Sequence, residues 1–440
     1  MSQHGCDVLV VGAGPSGCVA ALVLARAGAR VAIVDKAIFP RDKACGDLVG
    51  PRGVQLLDDL GIDTPGALDV TGMRVVGPTG RAVDHPRHLG RTYADHGIIV
   101  PRVRFDAHLL EAARDAGADF RRASATTPIM GRDGLAGFAL SDRSRVHADV
   151  VVGADGALST VGRATELVAP TAALWGLALR WYVDADVDVP TIVLWEPQRW
   201  RALPGYGWLF PGPDGRANVG LGIGALHDRR GGAQLAPLVD RFFADLHRSR
   251  MLQRPPDPAT RRGGWLRLGM VGAVPGRDRV LLVGDAAGLV NPLQGEGICQ
   301  AMGSGRGAAE AILAQPGCPA PAYRRFVARS YARFHGVNAA VHAALLPRPR
   351  VAAAAGRVLT APAIGRAVAS GWAVYWNDLL DGARPSWAAA VAATGSTAAN
   401  VLTRRSRTRR GVTWSVTADH ERRAAGASTV GSGVGRRSVS

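Results

Sequence analysis

The chain has no stretch of about 18 strongly apolar residues, the length a helix needs to cross a bilayer. The nearest run, Pro385 to Thr403, is uncharged but diluted by Ser, Thr, Asn and Gly. The apolar run near the N-terminus reads as a strand rather than as the core of a secretory signal. Cysteine is scarce. The five present (Cys6, Cys18, Cys45, Cys299, Cys318) are odd in number and lack paired spacing. That excludes a disulfide framework, offers no metal-ligand pattern, and favours a reducing, intracellular setting. None of the 11 His stands in a motif that names it as an acid.

Aromatic–basic stripes and RNA-binding signatures are also missing, so the net charge of +17 is not read as a nucleic-acid footprint. Nine Arg between Arg404 and Arg437 face only Asp419 and Glu421, so the tail holds about seven of those charges. The rest reads as a solvated Arg-rich surface that also suits anionic lipid head groups. The expectation is a cytoplasmic protein that can lie against the inner face of the cell membrane, its oligomeric state open with a monomer favoured.

What the chain does have is a strand-to-glycine turn, three times over. Val8–Val11 reads as a buried parallel strand running into Gly12, Gly14 and Gly17. These fit G-x-G-x-x-G, with Pro15 and Ser16 inside the motif and a helical pattern after it. Gly12 allows the tight turn, Gly14 the approach of a pyrophosphate, and Gly17 close helix packing. A second strand ends in Asp35, followed by Lys36, where a carboxylate can hold ribose hydroxyls. This is a dinucleotide site, and the motif alone does not separate NAD from FAD. The plan recurs at Gly153-Ala154-Asp155-Gly156 and at Gly284-Asp285-Ala286-Ala287-Gly288.

Between these motifs, residues 71–100 read as short strands and Phe120–Val146 as a hairpin meander turning at Arg132-Asp133-Gly134. Runs of Trp, Leu and Val from Leu174 to Ile223 (Thr191–Trp195 among them) read as an antiparallel sheet, and Leu235–Leu246 and 296–312 as helices. Long Ala-rich helices are expected over 320–392, and a disordered tail after Thr403.

In this order the three turns resemble the FAD-binding fold of the p-hydroxybenzoate hydroxylase-like flavoprotein superfamily. The resemblance implies a Rossmann-like FAD-binding domain in three parts (1–70, 101–170 and 271–315). Between them come substrate-domain strands at 71–100 and an antiparallel-sheet substrate domain at 171–270. A helical region (316–402) and a basic tail (403–440) follow. It assigns Gly12, Gly14 and Gly17 to the pyrophosphate and Asp35 to the ribose. Arg102, in an Arg-x-x-Phe-Asp pattern, goes to the phosphate–ribityl part. Asp155 and Gly156 match the second short motif, and Gly284 and Asp285 the third. Pro292, Gly295, Gly297 and Ile298 fall on the flavin-ring side.

A finer likeness lies in Tyr206-Gly207-Trp208-Leu209-Phe210-Pro211, followed by Gly220-Leu221-Gly222, which resembles the signature of geranylgeranyl reductases. The loop Arg41 to Gly46, containing Cys45, resembles their Cys-Gly loop. Tyr206, Trp208 and Phe210 at period two would line one sheet face with aromatic surface for an apolar chain. The resemblance implies an FAD-dependent reductase of polyprenyl C=C bonds, with Cys45 as proton relay or steric post near the flavin. No second Rossmann fingerprint is present. Electrons would therefore come from a transient donor, NAD(P)H or a ferredoxin or small reductase. The alternative is a flavin monooxygenase or halogenase on the same fold.

Overall fold

The computed structural model describes residues 3–365 apart from 86–92, 133, 170–172, 195–204, 227–228, 333–334, 337, 339–347 and 363–364. The Pro385–Thr403 run, the basic tail and most of the expected Ala-rich helices lie outside the described residues. So do Trp195 and Asp133.

Two sheets organise this mixed α/β protein. In the first, the strand Gln3–Val11 lies between Val31–Asp35 and Arg145–Gly153, parallel to both, with Val8 opposite Val31 and Val150. Val8 to Val11 are at most 4% exposed, and burial on both faces explains why their run is unbroken rather than alternating. Val280–Leu282 extends the sheet beyond Arg145–Gly153. The helix Pro15–Arg26 packs on Ile298–Ala314, where a Cβ at Gly305 would lie 2.2 Å from the Ser16 carbonyl oxygen.

One expectation needs correction here. Phe120 is not in the hairpin. Asp119–Arg122 pairs in parallel with Val31–Asp35, completing a crossover through the helix Arg102–Asp115, and the hairpin begins at Ala125. A strand that follows a crossover helix returns to its own sheet, whatever its local composition.

The second sheet has seven strands. Their order is Arg262–Leu268, Leu174–Asp184, Arg216–Leu226, Gly205–Phe210, Thr191–Val193, Met73–Val76, Ala82–His85, antiparallel except where Thr191–Val193 meets Met73–Val76. The amphipathic helix Leu235–Arg248 covers one face, with Phe242 so close that a Cβ at Gly207 would lie 2.1 Å from its ring. Leu209, Val219 and Leu221 point into that core. The alternate residues Tyr206, Trp208 and Asn218 therefore face the other way, toward the first sheet's glycine turns. Gly97–Ile99 belongs to neither large sheet and pairs with Leu48–Val49 and Leu68–Val70. Among the described residues no helix is long and apolar enough to cross a membrane.

Candidate functional site

The three glycine turns meet at one place. Gly12 has φ +111°, and a Cβ there would lie 2.3 Å from the Ala154 carbonyl oxygen, so the first turn presses on the second. At Gly284 a Cβ would lie 2.9 Å from Ser16 Oγ, which brings the third turn onto the first helix. Gly17 is held against the Gly12 carbonyl oxygen, 1.9 Å from where its Cβ would be. Gly14 differs from all three. Among the described residues, a Cβ on it would meet only Arg41 Nη2, at 3.7 Å. Its bare face is an open cradle at a helix N-terminus, where backbone N–H groups and the helix dipole favour an anion.

Charge completes that cradle. Arg102 donates through Nε and Nη2 to both oxygens of Asp106, at 2.6 and 2.7 Å, and Arg41 Nη2 sits 2.8 Å from the same carboxylate. Asp106 is fully buried and Arg102 nearly so. One carboxylate thus serves two guanidiniums, leaving a net positive charge beside Gly14 for a diphosphate. Asp35 closes the other end. Its Oδ2 accepts the Ala13 N–H and its Oδ1 the Ala37 N–H, both at 2.8 Å, and each oxygen keeps a lone pair for a ribose hydroxyl. These residues fit the dinucleotide part of FAD.

A cavity of about 310 Å³ continues from this cradle. Pro15, Asp285 and the turn Pro292–Ile298 border it on one side. The helix Ile298–Ala314 starts there after Gly297, and Glu296 Oε1 accepts its Cys299 N–H at 2.9 Å. Tyr206, Trp208 and Phe210 border it as well. The Tyr206 hydroxyl donates to the Gln294 carbonyl oxygen and lies 3.1 Å from where a Gly295 Cβ would be. Burial pushes the Tyr206 hydroxyl pKa well above its ordinary value, so it remains a neutral donor. Farther out the border is Met73, Pro78 and the helix Pro349–Leu359, through Ala352, Ala355, Gly356 and Leu359.

Cys45 and Gly46 also border the cavity. Their loop is tied down at both ends. Asp42 is ion-paired to Arg180 and to Arg262, the latter at 3.2 Å. Asp47 accepts from the Tyr182 hydroxyl at 2.6 Å and the Asn218 amide at 2.7 Å. The same amide nitrogen of Asn218 also donates to the Cys45 carbonyl at 2.8 Å, while its oxygen accepts from Trp208 Nε1 at 3.0 Å. Gly46 is required because a Cβ would lie 2.8 Å from the Phe210 ring. Burial pushes the Cys45 thiol pKa up, against the opposing pull of Arg102, so it stands in the cavity as a neutral thiol.

Four residues singled out from sequence lie elsewhere in this arrangement. Asp155 is occupied at home. It accepts from Ser159 Oγ at 2.5 Å and from the Thr160 and Val161 N–H groups, capping the turn after Gly156. Lys36 is exposed and does not border the cavity. Pro211, just past the strand that ends at Phe210, is buried away from it. Gly220 lies beneath the Trp208 indole, 2.0 Å from Cζ2 if it carried a Cβ, whereas Gly222 does border the cavity. Sequence reasoning missed Asp47, Asp106, Tyr182 and Asn218. Only the neighbouring Cys-Gly pair and the Arg-x-x-Phe-Asp pattern signalled the first two.

Residues 5–193 match the family model described as an FAD binding domain. The chain is 38% identical over 321 residues to a menaquinone reductase of Mycolicibacterium smegmatis, covering 69% of this chain and 75% of that protein. It is 30% identical over 325 residues to a digeranylgeranylglycerophospholipid reductase of Methanoculleus marisnigri, covering 70% and 76%. Among solved structures, a geranylgeranyl bacteriochlorophyll reductase-like protein from Thermoplasma acidophilum superposes with a TM-score of 0.68 at 26% identity, covering 83% of this chain and 94% of that one. With its cradle, its aromatic wall and these relatives, the chain belongs to the geranylgeranyl reductase family of FAD-dependent oxidoreductases.

Proposed function

We propose that the protein saturates C=C bonds of a polyprenyl chain, carried by a quinone such as menaquinone, a lipid or an isoprenoid diphosphate. One observation carries the reading. A neutral thiol at Cys45, an aromatic wall and the Pro292–Ile298 turn share a single cavity that continues from a diphosphate cradle. When bound, FAD supplies hydride from its reduced N5 to one alkene carbon. The other carbon needs a proton, and Cys45, a protonated thiol at the cavity wall, is placed to hold one. Tyr206 and Trp208 offer apolar ring surface to the chain while their own polar atoms are engaged elsewhere, so water gains no foothold on that wall.

Cofactor contacts are assigned to Gly14, Asp35, Arg41, Arg102, Asp285 and the Pro292–Ile298 turn, and substrate contacts to Tyr206, Trp208, Phe210 and Gly222. Electrons reach the flavin from NAD(P)H or a ferredoxin-type reductase, and the basic surface brings the protein to a membrane that holds the substrate. The test is anaerobic. Holoenzyme reduced with dithionite is mixed with menaquinone or a geranylgeranyl lipid, and reoxidation of the flavin is followed by absorbance. Reoxidation without oxygen is expected, with the two added hydrogens in the prenyl chain rather than on a quinone ring. Flavin that stays reduced until air enters would place the protein with the monooxygenases.

A further inference from the structure

Asp47 is 1% exposed and takes φ +64°, a left-handed conformation that Asp and Asn tolerate better than other side-chain-bearing residues. All its polar groups are engaged. Oδ2 takes the Tyr182 hydroxyl and the Asn218 amide, and Oδ1 faces the Arg102 backbone N–H at 3.3 Å. Its carbonyl takes the Val100 N–H at 3.0 Å, and its own N–H points to Cys45 Sγ at 3.4 Å. Asp47 does not border the cavity, so it acts through its partners. Asn218 is the link, because its amide also holds the Cys45 carbonyl and the Trp208 indole.

We propose that Asp47 is a positioning residue whose carboxylate clamps the Cys45 loop to the Tyr182–Asn218–Trp208 patch of the substrate sheet, and that protonation releases the clamp. An ionised carboxylate only accepts, which suits the three donors around it, and a proton on it would have to compete with one of them. The groups that face it are Arg102 from the helix, Arg180 and Tyr182 from the sheet, and Cys45 from its own loop, with Asp42 acting on Tyr182. Arg102 stays charged beside Asp106, and burial pushes Tyr182 and Cys45 upward. Burial also pushes Asp47 up, to about 6, which puts the release within reach of ordinary pH.

This inference rests on the prenyl-reductase reading, and its test separates the two. The rate at which menaquinone reoxidises the reduced holoenzyme is measured anaerobically between about pH 5 and 8. In the wild type it rises with pH through an inflection near 6. Asp47→Asn suits the left-handed backbone; it is expected to be about ten- to a hundredfold slower at the upper pH, with no inflection and with KM and flavin content unchanged. An Asp47→Asn protein with the wild-type rate, or with the inflection intact, overturns the proposal. If that variant takes up no FAD, Tyr182→Phe decides. Losing a donor to the charged form moves the inflection to higher pH, and an unmoved inflection overturns the clamp. A wild type that no prenyl acceptor reoxidises counts against the function instead. The clamp is then read from alkylation of Cys45 by iodoacetamide, mapped by mass spectrometry. The wild-type rate relative to Asp47→Asn climbs as pH falls if the clamp exists, and a constant ratio overturns it.

Discussion

Tyr182 and Asp47, 135 residues apart, are joined by a 2.6 Å hydrogen bond that pins the Cys45 loop to the seven-stranded sheet. The bond does not spare Asp47 the cost of burial, since its pKa still rises from 3.8 to about 6. A carboxyl whose pKa is raised on folding binds more protons folded than unfolded, so its ionisation subtracts stability as pH rises between those two values. The loss amounts to about 3 kcal/mol and is complete above the folded value. Urea denaturation of wild type and Asp47→Asn at about pH 4 and 7.5 isolates it. The stability of the variant relative to wild type is expected to be higher at the upper pH than at the lower.

The motif glycines divide by what their Cβ would strike. Gly14→Ala meets nothing nearer than 3.7 Å and is expected to leave the melting temperature unchanged while abolishing FAD retention through gel filtration. Gly17→Ala drives a methyl onto the Gly12 carbonyl and is expected to cost about 1–3 kcal/mol or more, whether FAD is present or not.

Gly220 and Gly222 make a second contrast. Gly220→Ala displaces the Trp208 indole, which lies 2.0 Å from the new methyl, and strips Asn218 of its Nε1 donor. The KM for a prenyl substrate is expected to rise about tenfold or more, the equivalent of at least ~1.4 kcal/mol of lost binding. In Gly222→Ala the methyl stands 3.7 Å from the same ring and leaves the indole in place, so KM is expected to rise less than in Gly220→Ala. Steady-state assays with equal flavin loading separate the two.

Ala355 is both exposed and part of the cavity border, so the cavity opens beside the helix Pro349–Leu359. A chain longer than the cavity would leave there. Ala355→Trp is expected to cut activity on long prenyl chains about tenfold or more while sparing short ones, because adding bulk at a tight passage costs about 1–3 kcal/mol. Relative kcat/KM for short- and long-chain menaquinones is the measurement.

Much of this was legible in the sequence because it is local. A strand running into glycines dictates where the backbone turns, and Gly12, Gly14 and Gly17 act within five residues of one another. Period-two alternation put Tyr206, Trp208 and Phe210 on one face. The Asp47–Tyr182–Asn218 network was not legible, since nothing in sequence tells which distant polar side chains a buried carboxylate will meet. The Gly-x-Gly spacing was visible, but its cause at Gly220, room for an indole on the next strand, depends on register. Asp155 stood in a motif that suggested a ligand contact, and its carboxylate is taken up by the backbone beside it.

The measurement that bears most directly on the central claim is the mass and structure of the product. Reduced holoenzyme is incubated with menaquinone without oxygen, and the quinone is recovered and fragmented. The account predicts a product heavier by two hydrogens, both located in the prenyl side chain, and none formed when FAD is absent. Two hydrogens on the ring alone, or product only when oxygen is admitted, would contradict it.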